Sequence, residues 1–201
     1  MSEWWSYRLG SFLLFSQHTY GSLVASYNVE FWPLQPVLVT LGLAALFVAA
    51  RSRSPLHARL VWLLLGAAWC WVAWAFHWRR FSTINWAAEY LAWVFALQGM
   101  ALLWAGVVRP GLRFLPRSPT RSVLGVGIVA LALLGWPLVA LVLGRPGWQA
   151  ESFGSFPDPT AIATLGFLAL APRASGWLMV IPLLVGALGL ALARALQAAA
   201  V

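Results

Sequence analysis

Long uninterrupted apolar runs decide the fold class of this chain. A helix needs about 20 apolar residues to cross a hydrocarbon core about 30 Å thick. Five such runs occur, over residues 31–50, 59–76, 85–108, 122–143 and 175–194. A sixth stretch, 159–171, would span only about 20 Å as a helix. Starting it near Phe153 would lengthen it enough, but Pro157 and Pro159 argue against that start. It is read as a short spanning helix, with a re-entrant half-helix as the alternative.

Composition agrees. The chain is 62% hydrophobic and 9% charged, against roughly 25% charged in an ordinary soluble domain. Its few charges cannot cover a water-facing surface. The expected fold is an all-α polytopic transmembrane helical bundle of about six spans. Residues 1–201 form one membrane domain, with 1–30 as an N-terminal interfacial segment and 31–201 as the bundle.

Six spans divide the loops sharply. One side receives Arg51, Arg53, Arg59, Arg109, Arg113, Arg117, Arg121 and Arg173 with no acid. The other receives Arg8, Arg79, Arg80, Arg145 and Arg194, together with every acid. The positive-inside rule puts the first side in the cytoplasm and the N-terminus outside it. The start, Met1-Ser2-Glu3-Trp4-Trp5, lacks the basic and then apolar pattern of a cleavable signal, so the first span is expected to direct insertion itself.

Local signals fill in the helices. Ser16 is a candidate N-cap for a helix in which Tyr20, Val24, Tyr27 and Phe31 share one face, while His18, Ser22 and Ser26 share another. Pro33 and Pro36 are expected to kink the first span, and Pro137 to bend or break the fourth. Pro182, Gly186, Gly189 and Ala193 form a small-residue stripe suited to close helix packing. Trp32, Trp78, Trp86, Trp104, Trp148 and Trp177 fall near span ends, where indoles favour the headgroup zone. Gln98 faces away from Glu89 and is expected to bond between helices. The two halves show no internal repeat, which removes the usual sequence argument for a secondary transporter.

Several chemistries are excluded. All 13 cationic residues are arginine, so no lysine is present for a Schiff base or a phosphate-binding loop. The single cysteine, Cys70, allows no internal disulfide and no paired-thiol site. No serine-hydrolase or zinc-protease signature appears. No cofactor is implied, and a membrane enzyme is the weakest functional reading. The net charge of +8 fits cationic loops against anionic lipid rather than nucleic acid.

Two stretches draw functional attention. Asn85, Glu89 and Trp93 share a helical face beside Trp86, with His77 just upstream. An acid inside a membrane helix suggests a cavity or a partner. Glu89 is thus either a proton or cation site in an outward vestibule, or the buried partner of Arg79, Arg80 or Arg145. The second stretch holds Glu151, Asp158, Thr160 and Thr164. Asp158 fits an N-cap with Pro159 in the first turn, and the two threonines either line a polar stripe or bond back to their own helix. His18, His77 and Glu89 are chemically adequate for a divalent metal, but nothing in their spacing brings them together, so no metal site is assigned.

Two functions follow as expectations. One is a small-solute permease or channel-like protein using a polar vestibule around Glu89 and Asn85, with 158–164 as a second wall. Six helices would enclose a pore only in a homo-oligomer or a loosely packed bundle. The other is a ligand-binding or sensory membrane protein, with tryptophans such as Trp71, Trp74 and Trp78 walling an apolar pocket. The partners expected are membrane lipids and a small-molecule or ion ligand.

The segments Ser2-Glu3-Trp4-Trp5 with Phe12-Leu13-Leu14-Phe15-Ser16, Asn85-Trp86-Ala87-Ala88-Glu89 with Leu97-Gln98, and 157–166 from Pro157 to Gly166 carry a resemblance. With them the chain resembles an uncharacterised bacterial family of polytopic membrane proteins, some of whose members bear a permease label. It departs from that pattern at Gln17, where proline is expected. The resemblance implies a multi-pass protein of the bacterial inner membrane and says nothing of substrate.

Overall fold

A computed structural model describes residues 15–51, 53–109, 112–114, 118–171 and 176–198. The expectations placed on Glu3, Trp4, Trp5, Arg8, Arg117 and Arg173 fall outside these residues. Everything described is helix or connection, with no strand among the described residues. The protein is an all-α membrane protein.

The helices are α1 Gln17–Glu30, α2 Leu34–Arg51, α3 Pro55–Trp71, α4 Ala88–Leu103, α5 Pro119–Ala130, α6 Trp136–Val142, α7 Pro157–Leu170 and α8 Trp177–Ala198. A π-helical turn, Val72–Trp78, extends α3, a second, Trp104–Val108, extends α4, and a third, Leu131–Gly135, joins α5 to α6. Among the described residues, five helical stretches are long and apolar enough to cross a membrane: Leu34–Arg51, Pro55–Thr83, Ala88–Val108, Pro119–Val142 and Trp177–Ala195. They present leucines and valines such as Leu41, Leu63, Val123, Leu138 and Leu184 outward, as a lipid-facing surface requires. Trp32, Trp78, Trp86, Trp104, Trp148 and Trp177 are exposed near their ends, as expected.

α7 is the exception. Its 14 residues reach about 21 Å, short of a full crossing. It packs antiparallel to α5, where Gly125 meets Gly166 and Leu170 while Gly166 meets Val129. It is also antiparallel to α8, whose Gly189 faces Asp158 at the start of α7. Before it runs Glu151–Phe156, a non-helical segment whose residues are all buried.

Glycine allows the closest helix approaches. A Cβ on Gly66 of α3 would collide with Leu103 and approach the Gly99 carbonyl, and one on Gly99 would collide with Cys70. The Gly125–Gly166 contact does the same for α5 and α7. Gln98 is buried and donates to the Leu178 carbonyl at 3.0 Å, the interhelical bond expected of it. The small-residue stripe of α8 is only partly used. Pro182 is buried and Gly189 meets Asp158, but Gly186 has open space and Ala193 is exposed. The buried residues Leu178, Pro182 and Val185 define the face that packs.

Prolines behave according to their position. Pro33 and Pro36 do not kink α2: one precedes its first residue and the other lies in its first turn, where no intrahelical amide bond is lost. Pro137 does break the regular ladder. The π-turn before it lets the Trp136 amide reach back to Leu131 O.

α1 begins at Ser16, whose hydroxyl accepts from the Thr19 amide at 3.2 Å, the expected cap. Its expected apolar face is turned inward. Tyr27 is fully buried and packs edge-on against Phe76 and Phe156, while Tyr20 meets Phe81. α1 therefore covers one end of the bundle, here called the α1 end, together with residues 78–88 and 143–156. At the opposite end the Trp62 indole donates to Leu112 O at 3.1 Å and stacks on Phe114.

Candidate functional site

Two features meet at the α1 end: a knot of buried charge and a groove beside it. They share the segment Ala150-Glu151-Ser152. Its backbone is extended at Ala150, so successive side chains point to opposite sides. Ala150 and Ser152 line the groove, while Glu151 enters the knot.

Glu151 is 8% exposed. Its Oε1 accepts from the Tyr20 phenol of α1 at 3.1 Å and its Oε2 from the Trp136 indole of α6 at 3.4 Å. Arg145 supplies a guanidinium nitrogen 4.0 Å away, while its own Nε is buried without a partner. Burial pushes the Glu151 carboxyl above its ordinary range, outweighing Arg145 and the two hydrogen bonds. Burial also drives the Tyr20 phenol well above its ordinary pKa, helped by the negative charges of Glu151 and Asp158. Tyr20 is thus a fixed donor throughout the physiological range.

Asp158 differs from its expected role. Phe156 occupies the N-cap position and Pro157 opens the helix, so Asp158 lies within the first turn. A carboxylate there complements the helix dipole without capping it. Gly189 leaves room for it.

Thr160 and Thr164 do not form a free polar stripe. The Thr160 hydroxyl donates to Phe156 O at 2.6 Å and accepts from the Gly154 amide at 2.9 Å. That bond holds a turn in which Gly154 has φ +77°, a left-handed conformation open to glycine. The Thr164 hydroxyl donates to Thr160 O at 2.8 Å and accepts from the Trp69 indole at 2.8 Å. Both threonines bond back to their own helix, the second of the two readings.

The region around Glu89 is built differently. Asn85 accepts from the Ala87 amide at 3.0 Å and so orders the start of α4. Glu89 is exposed, as are Trp86, Tyr90 and Trp93, at 67–68% for the three aromatics. Glu89 makes no ion pair with another described residue, and it lines neither of the two cavities described below. Arg79 and Arg80 pair with Glu30 instead, the former at 3.9 Å, and Arg145 pairs with Glu151. His77 is 2% exposed, packed 4.5 Å from the Phe95 ring centroid, with both ring nitrogens unpartnered. His18 is exposed on α1. His18, His77 and Glu89 form no cluster, and no group of three potential metal ligands occurs among the described residues.

The groove runs between the C-terminal end of α1, the first turns of α2, and the α5–α6 junction. It encloses about 640 Å³ and is open on one side. Leu133, Leu134 and Pro137 at the π-turn make one wall, Val39 and Pro36 the other, and Trp32 and Trp148 stand exposed at its edge. Asn28, Gln35 and Ser152 are its polar residues. Asn28 Nδ2 donates to Trp148 O and Ala150 O, both at 2.9 Å. Gln35 Nε2 donates to Asn28 O and Asn28 Oδ1, both at 3.2 Å. Gln35 Oε1 and Ser152 Oγ are left buried with no partner. A second, smaller cavity of about 260 Å³ lies between α3 and α4 against Cys70, Trp74, Trp78 and Trp93. Trp71 does not line it; its indole donates to the Tyr27 hydroxyl at 3.1 Å.

Sequence reading overlooked Tyr20, Asn28, Gln35, Trp136 and Ser152 as site residues. A signal was present for Gln35, since an amide inside an apolar run is as unusual there as Gln98 is in α4. For Tyr20 and Trp136 no local signal exists, because their partner Glu151 is 131 residues from one and 15 from the other.

A family model described only as a family of unknown function matches residues 18–199, almost all of the described chain. No curated protein and no solved structure matches the chain.

Proposed function

The chain belongs to DUF6064, a family of unknown function, and from its own geometry we propose that it is a membrane ligand-binding protein that takes an amphipathic small molecule into the groove beside α1. The observation that carries this reading is a largely apolar cavity of about 640 Å³, open on one side and edged by the exposed Trp32 and Trp148. Ligand sites of this kind typically enclose about 300–1,000 Å³ and are apolar with a few placed polar groups. Trp32 and Trp148 at the edge play the part that the sequence suggested for Trp71, Trp74 and Trp78.

The test uses the full chain in phospholipid nanodiscs. A brominated single-chain amphiphile should quench the Trp32 and Trp148 fluorescence, read as the difference from the W32F/W148F variant. Val39→Trp, which fills the groove, should abolish that quenching. Quenching that persists in Val39→Trp overturns the reading.

A second reading, solute transport in the bacterial inner membrane, draws support from the buried acids. Glu151 and Asp158 lie close enough for their charges to interact, and Glu151 adjoins two groove-lining residues. Proton-coupled uptake into proteoliposomes that vanishes in Glu151→Gln would favour it over simple binding.

A further inference from the structure

We infer that Arg59, Arg109 and Arg113 form one binding surface, at the end of the bundle opposite α1, for the phosphodiester headgroup of an anionic phospholipid. This surface is separate from the groove and does not depend on it.

Helix register brings the first two arginines together. Cys70 of α3 abuts Gly99 of α4, Gly66 abuts Leu103, and Trp62 abuts Gly106 in the turn that extends α4. Each step of about one turn back along α3 is thus matched by about one turn forward along α4. The next step sets Arg59 opposite Arg109, both exposed where the facing stripes of the two helices end.

Arg113 reaches the same place from the connection after α4. The Leu112 carbonyl accepts from the Trp62 indole at 3.1 Å, and Phe114 stacks on that indole with ring centroids 5.3 Å apart. Leu112 and Phe114 are buried, while Arg113 between them is exposed. Trp62, itself fully buried, therefore ties the three arginines to one point. One lies a turn before it on α3, one lies a turn past the glycine it touches, and one sits between the two residues that hold it.

Charge says what completes the cluster. Like charges gathered in this way repel one another. Among the described residues no acid lies at this end, since Glu30, Glu89, Glu151 and Asp158 all lie at the α1 end. The ion pairs formed there use Arg79, Arg80 and Arg145. A guanidinium presents a planar fork of donors that fits two phosphate oxygens. Arg109 lies over the Trp104 ring, 5.7 Å from its centroid, a contact made by the guanidinium face and not by the edge that carries the donors.

Depth says which phosphate. Trp104 is exposed and precedes Arg109 by five residues on a helix long enough to cross the membrane. Exposed indoles near span ends lie at the headgroup level, which puts the three guanidiniums beside the lipid phosphates. A zwitterionic headgroup adds an ammonium that the cluster repels, so a headgroup of net negative charge is preferred.

The experiment places the full chain in phosphatidylcholine nanodiscs holding a minor share of a probe lipid brominated near the top of its chains, either phosphatidylglycerol or phosphatidylcholine. Quenching of Trp104 is read as the difference from W104F. The phosphatidylglycerol probe is expected to quench about threefold or more strongly than the phosphatidylcholine probe at equal share. Arg59→Gln combined with Arg113→Gln should remove most of that excess and leave quenching by the phosphatidylcholine probe as it was. The charge-matched pair Arg53→Gln with Arg121→Gln, at the same end but outside the Trp62 contact, should keep the excess. Arg113→Gln alone should lower it by a smaller factor, and it serves if the first pair disturbs packing.

Equal quenching by the two probes overturns the inference. An excess that falls equally in both double variants overturns it too, since that marks a diffuse basic rim. Loss of the excess when inorganic phosphate replaces chloride at equal ionic strength assigns the surface to free phosphate and overturns the lipid.

Discussion

At the start of α4, Glu89 projects from an exposed face that it shares with Trp86, Tyr90 and Trp93. On the approach to α7, Glu151 is buried and held by side chains from α1, α6 and the segment after α6. Both acids adjoin apolar helices at the same end of the bundle. The difference lies in what covers them. α1 folds over Glu151, whereas no described side chain pairs with Glu89. Position along the chain therefore tells less about an acid beside apolar helices than the presence of a second element above it.

Stability measurements can break that contrast or sharpen it. The largest effect is expected from Arg145→Met, which leaves Glu151 buried without its counter-charge and should cost about 3 kcal/mol, read by denaturant unfolding in mild detergent. Arg79→Met is its control, since the Arg79 side chain is 49% exposed and such a pair contributes about 0.5 kcal/mol or less. Tyr20→Phe comes next. It removes one hydrogen bond to a buried carboxylate, worth about 1.5 kcal/mol, and thermal unfolding should register the loss.

A pH dependence follows from the same burial. The raised carboxyl of Glu151 holds its proton more tightly in the folded chain than in the unfolded one. Its contribution is therefore most favourable below the ordinary carboxylate value and is lost as pH rises through the raised value. Glu151→Gln should lessen that decline in an unfolding series against pH. The smallest effect is Glu89→Gln at fixed pH, within about 0.5 kcal/mol. A cost there equal to that of Tyr20→Phe would erase the distinction between the two regions.

What the sequence made legible was governed by local rules. The apolar runs located the five long helices, Ser16 marked the start of α1, Pro137 marked a break, and Gln98 was assigned to a helix–helix bond it makes. Each depends on neighbours within a turn or two, or on a simple preference for lipid or for a partner. The groove and the knot depend instead on contacts over more than 100 residues, such as Asn28 with Trp148 and Tyr20 with Glu151. No periodicity encodes those. Asp158 was misplaced by two positions in its role because Phe156, with no capping side chain, holds the N-cap. Proline at the first helical position fixes the start there.

The short reach of α7 has a consequence for how the protein comes to lie in the membrane. Fourteen residues carrying an acid and two hydroxyls are a poor substrate for independent partitioning out of a translocation channel. The helix becomes acceptable to the bilayer once α5 and α8 flank it and the approach segment is roofed by protein. Insertion of α7 is therefore expected to be completed together with its neighbours α5 and α8 rather than ahead of them.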